Sequence, residues 1–261
     1  MMEEMCTAGV HPNEVTWNTL LKAYVDGSDL SGARAVMEEM RAAGVQANEV
    51  TWTTLLKAFV SQPDIEGARA MMEEMRAAGV QANHATWNTL LKIYADRSDV
   101  AGARALMEEM RAAGLHPDVF TWTTLLKAYA NRSDLEGARA VMEEMCTAGV
   151  HPNEVTWNTL LHCHAKCSGD TLPSAEKVAL QMEKEGIVLG PYAYKALIGC
   201  CFPGKLAAHP RNPSQAKHWF SLYVSGWRNR GPLDPAIAYI FKEAVGHKAA
   251  ADVCNNLGLD L

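Results

Sequence analysis

Apolar residues recur at spacings of three and four along most of the chain. Trp17, Leu20, Leu21 and Tyr24 fall on one face of a segment that reads as a helix over about Thr16–Asp26. Leu30, Ala33, Met37 and Met40 do the same over about Asp29–Ala43. The two-helix pattern then returns every 35 residues, with Trp17, Trp52, Trp87, Trp122 and Trp157 in register. Residues 2–21 and 142–161 are the same twenty residues. The units run 14–48, 49–83, 84–118, 119–153 and 154–190, the last with a two-residue insertion around Cys167–Leu172. Residues 1–13 read as the second half of a preceding unit, which predicts a piece of a longer array. Residues 191–261 read as a degenerate unit followed by a helical cap. No strand pattern occurs, so the class is all-α. A unit this small cannot bury its own apolar face, so neighbours must stack into a right-handed α-solenoid.

Boundary signals agree with this division. Ser28, Ser98 and Ser133 stand where helix N-caps are wanted, and Ser133 with Glu136 forms a capping-box pattern. The glycines at 44, 79, 114 and 149 are the expected left-handed residues just after a helix. Beyond residue 202, Pro203, Gly204, Pro210 and Pro213 mark a loop, followed by helices at about Ser214–Ser225, Asp234–Val245 and Lys248–Leu257. There Trp219, Phe220, Tyr223, Tyr239 and Phe241 are expected to close the open end of the array.

With units this alike, the positions that vary are the informative ones. The residue after each Trp alternates: Asn18, Thr53, Asn88, Thr123, Asn158. The residue two before it is Val15, Val50, Ala85, Phe120 or Val155, and the unit ends in Asn48, Asn83, Asp118 or Asn153. Lys22, Lys57, Lys92 and Lys127 follow four residues after the Asn or Thr. Helical spacing puts Val15, Asn18 and Lys22 on one face, distinct from the Trp/Leu face that packing needs. Side by side, such faces make a groove in which an apolar residue holds a base, an amide or hydroxyl bonds its edge, and Lys neutralises a phosphate. The blander alternatives are N-capping by the unit-end Asn and Asp, idle surface polarity for the Asn/Thr column and a solvated face for the lysines. The Trp column belongs to the core.

A net charge of −6 at first argues against a nucleic-acid partner. The charge is segregated, however. Residues 203–261 hold seven Lys/Arg against four Asp/Glu, so the acidic excess lies wholly in 1–202, mostly in the Glu-Glu pairs of the second helices. Lys205, Arg211, Lys217, Arg228 and Arg230 could extend a groove or meet a partner. Seven scattered Cys fit a reducing compartment. No apolar run reaches the roughly 18 residues of a membrane span. The sequence contains neither a zinc-deaminase signature, nor a phosphate-binding Gly-rich loop, nor a nuclease-like aspartate cluster, which argues against an enzyme. The weak candidate metal ligands are His164 and Cys167 with Cys200 or Cys201, at no familiar spacing.

The unit V-T-W-N-T-L-L-K-A-Y…D-L-x-G-A-R-A-V-M-E-E-M-R-A-A-G-V-x-x-N resembles the pentatricopeptide repeat over residues 1 to about 190. It differs in carrying Trp where Tyr is usual, and Ser28, Pro63, Ser98 or Ser133 where Gly is common. The resemblance implies an organellar protein, of mitochondrion or chloroplast, that binds single-stranded RNA at one nucleotide per repeat, with no cofactor. It implies that Asn18/Asn48 prefers a pyrimidine, Thr53/Asn83 A, Asn88/Asp118 U and Thr123/Asn153 A, a target of 5′-(C/U)-A-U-A-3′. Asn158 with Gly190 fits no familiar pair. Val15, Val50, Ala85, Phe120 and Val155 would clamp the bases. The competing expectation is a structural solenoid subunit of an organellar ribosome or other large complex, contacting protein or RNA backbone without base readout.

Overall fold

The computed structural model describes residues 9, 11–61, 64–167, 171–201, 212–227 and 234–257. These residues are helical throughout their regular structure. The helices are α1 (Glu14–Asp26), α2 (Leu30–Ala42), α3 (Glu49–Ser61), α4 (Ile65–Ala77), α5 (His84–Asp96), α6 (Val100–Ala112), α7 (Val119–Asn131), α8 (Leu135–Thr147), α9 (Glu154–Lys166), α10 (Leu172–Lys184), α11 (Pro191–Cys200), α12 (Pro213–Trp227), α13 (Pro235–Val245) and α14 (His247–Leu257). They form two compact units, Met1–Ala128 and Tyr129–Leu261.

In the first unit α1 packs on α2, and the first helices α1, α3 and α5 pack side by side in a row. The row forms because each first helix buries Trp and Leu on one face: Trp17, Leu21, Trp52, Leu55, Leu56, Leu90 and Leu91 are all core. Ala33, Met37 and Met40 of α2, with their counterparts in α4 and α6, close the other side. Gly32, Gly67 and Gly102 set how tightly the two helices of a pair approach, because a Cβ there would collide with the ring of Tyr24, Phe59 or Tyr94. The indole N–H of Trp157 donates to Glu185 at 3.2 Å. Trp17, Trp52, Trp87 and Trp122 find no acceptor among the described residues. Ala43, Ala78 and Ala113 stand where the fifth repeat has that glutamate.

The second-helix caps differ from expectation. Asp29, Asp64, Asp99 and Asp134 are the N-caps, each accepting from the N–H of the glycine three residues on. Ser28, Ser98 and Ser133 instead lie in the left-handed region, at φ 57°, 57° and 56°, so they are neither caps nor, for Ser133, part of a capping box. They hold the strained position where glycine is the residue that fits. The predicted left-handed glycines are found, Gly44 at φ 78° and Gly114 at φ 81° among them.

In the second unit α9 packs on α8, α10 and α11, and α11 packs on α12 and α13. The alternation of first and second helix therefore continues past residue 200, with α11/α12 and α13/α14 as further pairs. Phe220 stacks on Phe241 at 3.9 Å between ring centres, and Tyr194 meets Trp219 and Tyr223. Tyr239 does not join it and is 65% exposed. It lies five residues after the N-cap Asp234, the place Asn18 holds after Asn13, and so points with the variable face rather than the core. Pro213 opens α12 instead of marking a loop. Pro203, Gly204, Pro210, Lys205, Arg211, Arg228 and Arg230 lie outside the described residues.

Candidate nucleic-acid interface

The apolar residues at the second helical position fall on the face of the first helix that the core leaves free, whereas Thr53 and Asn88 of the Asn/Thr column are buried against the next repeat. Val15, Val50, Phe120 and Val155 are 71%, 53%, 55% and 60% exposed, and Ala85 is exposed as well. Four apolar side chains of this size left in water, one per repeat at the same position, are an unpartnered surface rather than an idle one.

Beside them in the first unit runs a groove of about 1020 Å³, lined by Lys22, Lys57, Lys92, Ala85, Asn88, Asp118 and Phe120, with Asp26, His84 and Thr89. One residue from each candidate class thus meets in one space. The second-helix glutamates stay out of it, pairing with second-helix arginines: Arg34–Glu74 at 3.5 Å, Arg41–Glu38 at 3.4 Å and Arg69–Glu109 at 2.9 Å. Net acidity and a basic groove therefore coexist. Lys127 bonds Asp96 at 2.8 Å and Lys92 approaches the same carboxylate at 3.5 Å, so two of the four lysines share one counter-charge.

The unit-end residues are N-caps. Asn48, Asn83, Asp118 and Asn153 each accept from the backbone N–H three residues on. Capping does not exhaust their role, because the Thr at that third position ties the cap to the residue after Trp in the preceding repeat. The Thr51 hydroxyl lies 2.8 Å from Asn18 Oδ1 and 3.1 Å from Asn48 Oδ1. Thr121 lies 2.8 Å from both Asn88 Oδ1 and Asp118 Oδ1. Thr86 donates to Asn83 at 3.0 Å, so at 2.8 Å it accepts from Thr53. The two variable columns are one hydrogen-bonded assembly, with Thr at its centre. Burial alone would raise the Asp118 carboxyl, but the Thr121 N–H and hydroxyl and the Asn88 amide outweigh it and hold the group below its ordinary range. The Thr123 hydroxyl also reaches its own helix, at Val119 O, 2.7 Å away.

Two family models match the sequence between residues 12 and 173. The model of the pentacotripeptide-repeat region of PRORP matches 58–173, and the PPR repeat family matches 12–61. The chain is a pentatricopeptide repeat protein. No curated protein matches it. Among solved structures it is similar to the pentatricopeptide repeat protein PPR10 bound to an 18-nt psaJ RNA element, at 20% identity and TM-score 0.64, over 97% of this chain and 41% of that one. PPR10 from maize without RNA gives 19%, TM-score 0.55, and 99% and 41%. The PPR domain of Arabidopsis thaliana protein-only RNase P 1, in complex with tRNA, gives 20%, TM-score 0.54, and 69% and 94%. The chain thus spans about 41% of the length of the PPR10 chains.

The candidate metal ligands of this pentatricopeptide repeat chain do not assemble. His164 is fully buried, with Nδ1 on Leu160 O at 2.9 Å and Nε2 on Ser174 Oγ at 2.8 Å, so both ring nitrogens are engaged. The Cys167 thiol donates to Ser133 O at 3.1 Å. Burial pushes the Cys200 and Cys201 thiols up to about 12, which disfavours the thiolates a metal needs. Among the described residues no three His, Cys, Asp or Glu are grouped to hold an ion. No helix there is long and apolar enough to cross a membrane.

Three features of the face were missed from sequence. Asp26 and Asp96 enter the lysine strip, a position visible in the 35-residue register four residues after each Lys. Tyr192, 73% exposed, lies two residues after the N-cap Gly190, as Val155 lies after Asn153, and so continues the apolar column in the second unit. Lys195 takes the next place in the Asn/Thr column. The insertion in repeat five hides both from a fixed 35-residue count.

Proposed function

We propose that this chain binds single-stranded RNA along the variable face of its first helices, one nucleotide per repeat, within organellar RNA processing, stability or translation. One observation carries the reading. An exposed apolar column runs beside pairs of amide, hydroxyl and carboxylate groups locked together by buried threonines, in a groove lined with lysine. That is the equipment for holding a base by its face and reading its edge. The RNA seen with PPR10 and the tRNA seen with protein-only RNase P 1 support the ligand class. These repeats act as a binding module. The carried-over target is 5′-(C/U)-A-U-A-3′, with Asn18/Asn48, Thr53/Asn83, Asn88/Asp118 and Thr123/Asn153 reading in that order.

The test is fluorescence anisotropy with short labelled RNAs containing CAUA, a scrambled sequence and the matching DNA, over a salt series. Tighter binding of CAUA, with preference at the second and fourth bases moving toward pyrimidine in a Thr53→Asn/Thr123→Asn variant, supports base reading. Equal weak binding of all oligonucleotides favours the structural-subunit alternative.

A further inference from the structure

The fifth repeat keeps Asn158 after its Trp but departs from the others at its unit end. Its unit-end residue is Gly190, which holds the same extended N-cap backbone as Asn83 (φ −89°, ψ 178° against φ −98°, ψ 179°) but brings no side chain. Its bridging threonine is replaced by Ala193, fully buried at the third position of α11. With no hydroxyl there, Asn158 Oδ1 is buried and has no partner among the described residues, whereas Asn18 and Asn88 give the same oxygen to Thr51 and Thr121. The space left at Gly190 is taken by Glu154, since a Cβ built on the glycine would stand 3.1 Å from Glu154 Oε1. In the first repeat the equivalent carboxylate, of Glu14, is held by the Asn48 amide at 2.8 Å. Glu154 has no such amide.

We infer that the fifth repeat selects guanine, reading it with the two oxygens of the exposed Glu154 carboxylate instead of a unit-end side chain. Both oxygens accept hydrogen bonds. Guanine alone among the four bases presents two adjacent N–H donors, N1–H and the N2 amino group, on its Watson–Crick edge. Adenine and cytosine set a bare ring nitrogen beside their amino group, and uracil sets two carbonyls around its single N–H, so each turns an acceptor toward the carboxylate. A carboxylate that loses water to a base acceptor gains no donor in return, so the base that supplies two donors is favoured. Val155 on α9 and Tyr192 on α11 provide exposed apolar faces at successive column positions, and a tyrosine ring suits a purine.

The inference rests on the RNA-binding reading, and its test separates the two. The full chain is titrated with four labelled RNAs, CAUA followed at its 3′ side by G, A, C or U, alongside a scrambled tetranucleotide control. Guanine is expected to bind about tenfold tighter than the other three, in line with discrimination by one good bidentate contact. Glu154→Gln turns one acceptor into a donor on an exposed residue outside the core, and should remove most of that preference while leaving the CAUA-to-scramble ratio unchanged. Ala193→Thr restores a hydroxyl for the buried Asn158 Oδ1 without touching Glu154 and should leave the preference in place. If the four RNAs bind equally while CAUA is still preferred over scramble, the guanine assignment is overturned and the RNA reading stands. A guanine preference that survives Glu154→Gln also overturns it. If CAUA itself is not preferred, both fall.

Discussion

Thr121→Val tests whether the bridging hydroxyls join the two variable columns. Thr121 is fully buried, and valine has nearly its shape, so packing is retained and the change is chemical. The lost hydroxyl lies 2.8 Å from Asn88 Oδ1 and 2.8 Å from Asp118 Oδ1. Asn88 is only 8% exposed, so its oxygen cannot turn to water and is left without a donor, at about 1–3 kcal/mol. Asp118 keeps the Thr121 backbone N–H at 2.8 Å and faces solvent, so its share is smaller. Together the loss should be about 2 kcal/mol. Urea denaturation followed by circular dichroism should show an earlier midpoint with an unchanged slope. Thr121→Ser, which keeps the hydroxyl, should retain most of the stability. Anisotropy with CAUA and its third-position variants should then show loss of preference for U in the valine chain, with smaller loss of overall affinity. An unchanged midpoint for valine would refute the bridge. So would a serine variant as unstable as the valine one, because the methyl group would then be what matters.

Ser98→Gly should stabilise the chain by about 0.5–1 kcal/mol, because a left-handed L-residue costs about 1–2 kcal/mol and glycine returns part of that gain as unfolded-state entropy. Asp99→Ala, which removes the true N-cap, should cost about 1 kcal/mol, and the opposite signs in one denaturation experiment decide between the two cap assignments. Asp96→Asn releases Lys92 and Lys127 from their shared carboxylate and should tighten RNA binding, with a steeper dependence of log affinity on log salt; an unchanged slope would place those lysines off the RNA path. Burial, with Arg139 nearby, holds His164 below its ordinary value of 6.5 despite the Leu160 carbonyl, so the unfolded chain takes up its proton first. That contribution is fully present above pH 6.5 and is lost as pH falls below it, so the thermal midpoint should drop between pH 7.5 and 5.5. A flat profile would contradict the assignment.

What the sequence by itself determined is whatever repeats. The period, the two helices per unit, the Trp and Met core and the left-handed glycines all follow from apolar spacing and chain-breaking residues, and a pattern recurring at one period overrides local ambiguity. The division into a constant core face and a variable face was legible for the same reason, since Val15 and Lys22 share a side that Trp17 and Leu21 do not, but the burial of Thr53 and Asn88 between repeats was not. Contacts between repeats were decided only by the tertiary structure, because they join residues distant in the chain whose types fit several roles. Serine next to aspartate reads as a cap, yet only the backbone angle shows that Ser98 sits in the left-handed turn and Asp99 caps. Thr51 and Thr121 look like ordinary helix residues until stacking sets them between two amide or carboxylate groups. His164 and the cysteines suggest a metal until burial and hydrogen bonding engage them elsewhere. Gly190 reads as a worn unit end, and only the placement of Glu154 beside it turns the missing side chain into the proposed guanine site.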